Sequence, residues 1–222
     1  MQDIYQEFQP YKPARRKAED YDIMPHKRPR SRAKVLSDRD IERVESQIFR
    51  DSRAPYAYLL KFRLTVYAGL RVGEVLNIHI SDLVEPNGQV SEWVTVRPKV
   101  GKGGKGREIP MHPKIAHMVR KFLLHYPEMD YIAFSQRWHK RKRQSLTALT
   151  NQLWWMYKKA GLQGYSSHSG RRTFITNLAR SAGRNGCSLR DVQAAAGHAR
   201  LETTECYIEP SQNLGKLIRS LK

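Results

Sequence analysis

Gly197-His198-Ala199-Arg200-Leu201-Glu202-Thr203-Thr204-Glu205-Cys206-Tyr207 carries the clearest message in this chain. Two shorter strings upstream belong with it: His168-Ser169-Gly170-Arg171-Arg172-Thr173-Phe174 and Gly69-Leu70-Arg71-Val72-Gly73-Glu74-Val75-Leu76. Together they put two arginines, two histidines and a tyrosine in separate short helical segments. That set suits charge-stabilised attack by a tyrosine on a phosphate diester.

Cleaving a DNA strand through a protein nucleophile makes three demands. The attacking oxygen must lie in line, the extra negative charge at phosphorus must be stabilised, and the departing 5′ oxygen must receive a proton. A phosphotyrosyl ester preserves the bond energy and can be attacked again by a DNA hydroxyl, so no ATP is called for. Two guanidiniums, each planar, always charged and presenting paired donors to phosphate oxygens, supply the positive charge that a metal supplies elsewhere. No cofactor is expected.

Composition agrees. The chain has 222 residues and a net charge of +19, which makes double-stranded DNA the expected partner. A basic ribosomal or chromatin-like protein shares that charge, but here the bases are interleaved with long amphipathic segments. Cys187 and Cys206 have no metal-binding spacing and are too few for a disulfide framework. They read as reduced thiols of a cytoplasmic, DNA-associated protein, with Cys206 serving packing. No apolar run approaches the roughly 20 residues of a membrane span, and the N-terminus lacks a signal pattern.

Residues 1–34 contain four prolines and clustered bases and read as a flexible basic arm, either a DNA contact or a leader without function. Residues 35–210 read as one domain. Ser37-Asp38-Arg39-Asp40 opens a helix with Ile41, Val44 and Ile48 on one face. Helices follow over about Ala54 to Ala68 and Arg71 to Ile80. Between Val90 and Pro110 the pattern becomes a hairpin with a basic, glycine-rich tip, and Tyr131 to Phe134 reads as a short third strand. Helical stripes recur from Ile115 to Tyr126, from Leu146 to Tyr157, from Phe174 to Ala182 and from a capping box at Ser188 to Ala196. The Arg180–Leu189 stretch reads as a surface loop, and residues 211–222 as a terminal amphipathic helix. The fold class is mainly α with a small antiparallel β-sheet (α+β).

From about Leu36 onward, the order and spacing of these strings resemble the tyrosine recombinase (phage integrase) family. The resemblance implies a catalytic set of Arg71, with Glu74 as its orienting partner, Lys102, His168, Arg171, His198 and Tyr207. Within it Tyr207 is the nucleophile, Arg71 and Arg171 the phosphate clamp, His168 the general base and His198 a further donor. Gly101-Lys102-Gly103-Gly104-Lys105-Gly106 resembles the family's lysine-bearing turn, and register picks Lys102 as general acid, with Lys99 and Lys105 as alternatives. Arg172 reads as a backbone-phosphate contact or a surface charge.

The implied activity is site-specific recombination through a 3′-phosphotyrosyl intermediate. Type IB topoisomerase-like relaxation and a non-catalytic DNA-binding regulator are the alternatives. The family also implies a synaptic homo-tetramer on DNA, with an accessory DNA-bending protein as a further partner. In most relatives a helical core-binding domain precedes the catalytic one. Here only the short arm does, so the chain reads either as a catalytic-domain-only member or as a fragment. The terminal helix docks on a neighbouring protomer or packs on its own domain.

Overall fold

The computed structural model of the chain describes residues 33–98, 106–135 and 142–207, together with Arg219. The arm as far as residue 32, Lys99, Lys102 and Lys105 at the hairpin tip, and nearly all of the terminal segment therefore lie outside the described residues.

Helix α1 (Asp38–Asp51) opens on a reciprocal cap. The Ser37 hydroxyl accepts from the Asp40 amide at 3.2 Å, and Asp40 accepts from the Ser37 amide at 3.0 Å. Ile41, Val44 and Ile48 are buried, as their spacing predicts. Lys34 already belongs to the body: its ammonium donates to the Gln163 carbonyl and lies over the Tyr165 ring. Beside it, the Leu36 amide donates to the Thr173 hydroxyl at 2.8 Å.

Helix α2 (Pro55–Tyr67) is buried around most of its circumference and packs on α1 and on two later helices, Pro113–His125 and Ser169–Ala182. It is the axle of the fold, and two cations lie inside it. Arg63 is held bidentate by Glu45 at 2.8 and 2.9 Å. Lys61 has a neutral acceptor, Gln144, and the Tyr58 ring.

After α3 (Val72–Asn77) and a 3₁₀ turn (Ile80–Asp82), strands β1 (Trp93–Val96) and β2 (Arg107–Pro110) form an antiparallel hairpin, with Val94 opposite Ile109. Tyr131 to Phe134 does not join it as a third strand. Tyr131 makes one bridge to His79 and Phe134 one to Arg143. The intervening Ile132 and Ala133 are buried, and the Ala133 carbonyl accepts from the Gln144 amide instead of a sheet neighbour. The segment is thus an inner connection between α4 (Pro113–His125) and α5 (Leu146–Lys159).

Helix α6 (Ser169–Ala182) continues into a 3₁₀ turn (Gly183–Asn185), so the loop expected from Arg180 to Leu189 is largely helical. The reason lies in its bonds: the Asn185 amide group donates to the Ser181 carbonyl, and the Cys187 amide donates to that of Ala182. Helix α7 (Leu189–Ala196) starts on the Ser188–Asp191 capping box. The short α8 (Glu202–Glu205) leads to Tyr207. A large core surrounds α2, and a smaller one formed by Ile175, Ala182, Val192 and Ala196 ties α7 to α6. No described helix is long and apolar enough to cross a membrane.

Candidate active site

The site forms where the end of α2, the start of α6 and the end of α7 meet. Gly69 turns the chain out of α2 with φ of 63°, and a Cβ there would lie 2.3 Å from the Phe174 ring. This close approach lets the Gly69 carbonyl accept from the Arg171 guanidinium at 2.6 Å. Arg71 is the N-cap of α3. Its amide donates to one Glu74 carboxylate oxygen at 2.8 Å and its guanidinium to the other at 3.0 Å, the partnership expected from their i,i+3 spacing.

Three arginines converge on the last carbonyls of α7. Arg107 Nε donates to Ala195 at 3.0 Å, Arg171 Nη2 to Ala196 at 2.6 Å and Arg71 Nη2 to Gly197 at 3.4 Å. Helix C-terminal carbonyls lack intrahelical partners and carry the negative end of the dipole, so they hold guanidiniums well. Gly197 has φ of 63° and closes the helix as its left-handed cap. A Cβ there would stand 2.8 Å from the Arg107 guanidinium.

Arg171 is only 5% exposed. Its hydrogen-bond acceptors are both carbonyls, which orient the guanidinium without neutralising it. Burial, followed by the nearby Arg71 charge, lowers its pKa to about 10, so it stays cationic at neutral pH. Glu74 is the local counter-charge. Burial raises its pKa, but the hydrogen bonds and charge of Arg107, the Arg71 amide and the Arg71 charge outweigh this and bring it to about 2.

His198 follows directly. It is buried, and its Nδ1 lies 3.0 Å from the Thr204 hydroxyl. Burial first, then the charges of Arg171, Arg71 and Arg107, bring its pKa to about 4, so the imidazole is neutral at physiological pH. Its ring stacks on that of Tyr207, with centroids 5.8 Å apart. The other face of the story is Arg172, whose guanidinium lies 5.9 Å from the Tyr207 ring centroid. Arg172 is half-buried there, not a plain surface charge.

Arg71, Arg171, His198 and Tyr207 are thus brought together. His168 is exposed at the N-cap of α6, one turn before Arg171. Lys102 and its alternatives lie outside the described residues. Cys206 is exposed, which corrects its expected packing role. Among the described residues no His, Cys, Asp and Glu side chains group as a metal site.

Sequence reasoning missed Thr204 and Arg107. Arg107 had a legible signal: it shares the inward face of β2 with the buried Ile109, and an inward-facing charge on a strand needs a partner.

With this geometry in view, the match to known proteins is direct. The model of the phage integrase family covers residues 34–213. The chain belongs to the phage integrase family. Tyrosine recombinase XerA of Thermococcus kodakarensis is 29% identical over 211 residues, covering 90% of this chain and 68% of that protein. The crystal structure of a XerA recombinase superposes with a TM-score of 0.64 at 26% identity, covering 86% of this chain and 65% of that one. XerH site-specific recombinase bound to its difH substrate superposes with a TM-score of 0.65 at 20% identity, covering 92% of this chain and 59% of that one. This chain therefore spans roughly three-fifths to two-thirds of the length of these integrase-family relatives.

Proposed function

We propose that the chain is the DNA-cleaving part of a tyrosine-type site-specific recombinase, acting on double-stranded DNA through a 3′-phosphotyrosyl intermediate at Tyr207. The observation that carries this reading is the convergence of Arg71 and Arg171 on the segment that leads into His198 and Tyr207. The likeness to tyrosine recombinase XerA, and to XerH site-specific recombinase with its bound difH substrate, supports it.

In this reading the scissile phosphate lies between the two guanidiniums, which stabilise the charge that grows on its non-bridging oxygens. The Tyr207 oxygen attacks phosphorus, its proton passes to His168, and the bond to the 5′ oxygen breaks. Lys102, or Lys99 or Lys105 in its place, donates the proton to that oxygen. In the tautomer this mechanism uses, Nδ1 of neutral His198 accepts from the Thr204 hydroxyl 3.0 Å away and the ring proton on Nε2 is donated to a phosphate oxygen. Rejoining reverses the step with a hydroxyl from another strand. Strand exchange requires several protomers, so the working form is a tetramer of copies on two DNA sites, with an accessory DNA-bending protein shaping the complex.

Tyr207→Phe tests the reading. On nicked suicide duplexes in excess EDTA, the parent protein should form a covalent adduct and the variant none. DNA retention should stay nearly unchanged, because affinity comes mainly from phosphate contacts. An adduct in the variant would place the nucleophile elsewhere, and a strict magnesium requirement for cleavage would sink the arginine-based mechanism.

A further inference from the structure

The geometry points to Arg107 as a positioning residue that joins the hairpin to the phosphate clamp. This rests on the recombinase reading above. Arg107 is the first residue of β2, separated only by Gly106 from the lysine-bearing tip. Its guanidinium bonds both oxygens of Glu74, at 3.1 and 3.0 Å, while its Nε bonds the Ala195 carbonyl. It is 11% exposed at the side chain, and Glu74 is 10% exposed. One buried side chain thus links three elements: the hairpin, the helix headed by Arg71 and the end of the helix that precedes His198 and Tyr207.

Glu74 is shared. Each carboxylate oxygen takes a donor from Arg107 and another from Arg71: the Arg71 guanidinium on Oε1 and the Arg71 amide on Oε2. A carboxylate gripped bidentate by a rigid fork has one orientation, and this orientation sets where the Arg71 guanidinium points. Arg71 is the more exposed of the two arginines, 42% against 11% at the side chain, so the inner fork holds while the outer one is open to take the phosphate of the reading above. A lysine at 107 keeps the charge but has no fork to hold both oxygens and a carbonyl together. The same bonds anchor the root of the hairpin, fixing relative to the clamp the strand end from which the chain's lysine-bearing stretch departs.

The test uses the full chain and a nicked suicide duplex whose sequence the parent protein captures from a random pool. Single-turnover cleavage by Arg107→Ala and Arg107→Lys is measured with an oxygen or a sulfur at the 5′ bridging position. Both variants are expected to slow oxygen-substrate cleavage by roughly 100-fold, the scale of a small misplacement of reacting groups. Sulfur should restore part of this loss, because a thiolate leaves without a proton.

On the sulfur substrate, which needs no proton donor, combining Arg107→Ala with Arg71→Ala should add little to the Arg71→Ala defect, since there one acts through the other. Additive losses on sulfur would overturn the coupling to Arg71, and equal defects of the Arg107 variants on oxygen and sulfur would overturn the coupling to the hairpin. So would an unimpaired Arg107→Lys. Amide hydrogen exchange is read on the same proteins and should rise in both 106–110 and 195–198 in the variants; unchanged exchange there overturns the anchor. If the parent captures no DNA, the recombinase reading fails, while exchange still decides the anchor.

Discussion

Lys61 shows how one side chain can weaken a core that is otherwise well packed. It is 1% exposed, with a neutral partner in Gln144 and the Tyr58 ring below it. Burial lowers its pKa from 10.5 to about 7. At one pKa unit per 1.36 kcal/mol, that represents about 5 kcal/mol withheld from the folded state at neutral pH. The unfolded chain binds more protons between pH 7 and 10.5, so stability rises with pH across this window. Lys61→Met keeps the length and removes the charge. It should raise the melting temperature by several degrees at pH 7, and the gain should shrink as the pH approaches 10.5. Melting curves at three pH values check this; a lower melting temperature at pH 7 would show that the Gln144 and Tyr58 contacts outweigh the burial of charge. His198 runs in a lower window. Its pKa falls from 6.5 to about 4, so stability is lost as pH drops through that range.

Among the elements, the β1–β2 hairpin combines a well-bonded root with the stretch whose lysines are the proposed proton donors. Val94, Val96 and Ile109 are buried, and Arg107 is bonded to Glu74 and Ala195. The tip lysines are assigned by motif register alone. Lys102→Ala should slow cleavage far more on ordinary DNA than on the 5′-sulfur substrate, because only oxygen needs the proton. Measuring both rates also separates the candidates: equal defects would pass the role to Lys99 or Lys105, or remove it from the hairpin. Helix α7 makes the complementary point. Its capping box was readable from Ser188 and Asp191, but its function comes from its other end, where three carbonyls collect three arginines.

For the whole molecule, the question is what completes the assembly. The spacing of Leu214, Leu217, Ile218 and Leu221, which lie outside the described residues, predicts one helical stripe, and so short a helix is marginal alone in water. We expect truncation before Ser211 to leave nicking of suicide substrates intact while abolishing synaptic complexes and recombinants. Native gel shifts on paired sites read the loss of synaptic complexes, and melting curves guard the interpretation. A lower melting temperature with unchanged oligomers on DNA would place the stripe on its own domain. Relaxation of supercoiled DNA by the monomer without a site requirement would instead favour topoisomerase-like activity.

The helices, their caps and the hairpin were legible in the chain, because hydrophobic period and capping chemistry are local. Ile41, Val44 and Ile48 face the core as their spacing requires, and Ser188 and Asp191 cap the helix they precede. Local pattern misread Tyr131–Phe134 and Arg180–Leu189, where bonds to Gln144 and within the turn after Ala182 decide the backbone. The motif strings put Arg71, Arg171, His198 and Tyr207 in one family, but said nothing of what holds them. That was decided by tertiary contact: Gly69 pressed against Phe174, Glu74 shared by Arg71 and Arg107, and successive carbonyls of α7 meeting arginines from three distant segments. Helical periodicity tells which face of a segment turns inward. Which orphan carbonyl a buried guanidinium finds depends on how the helices pack, and this is a property of the folded chain alone.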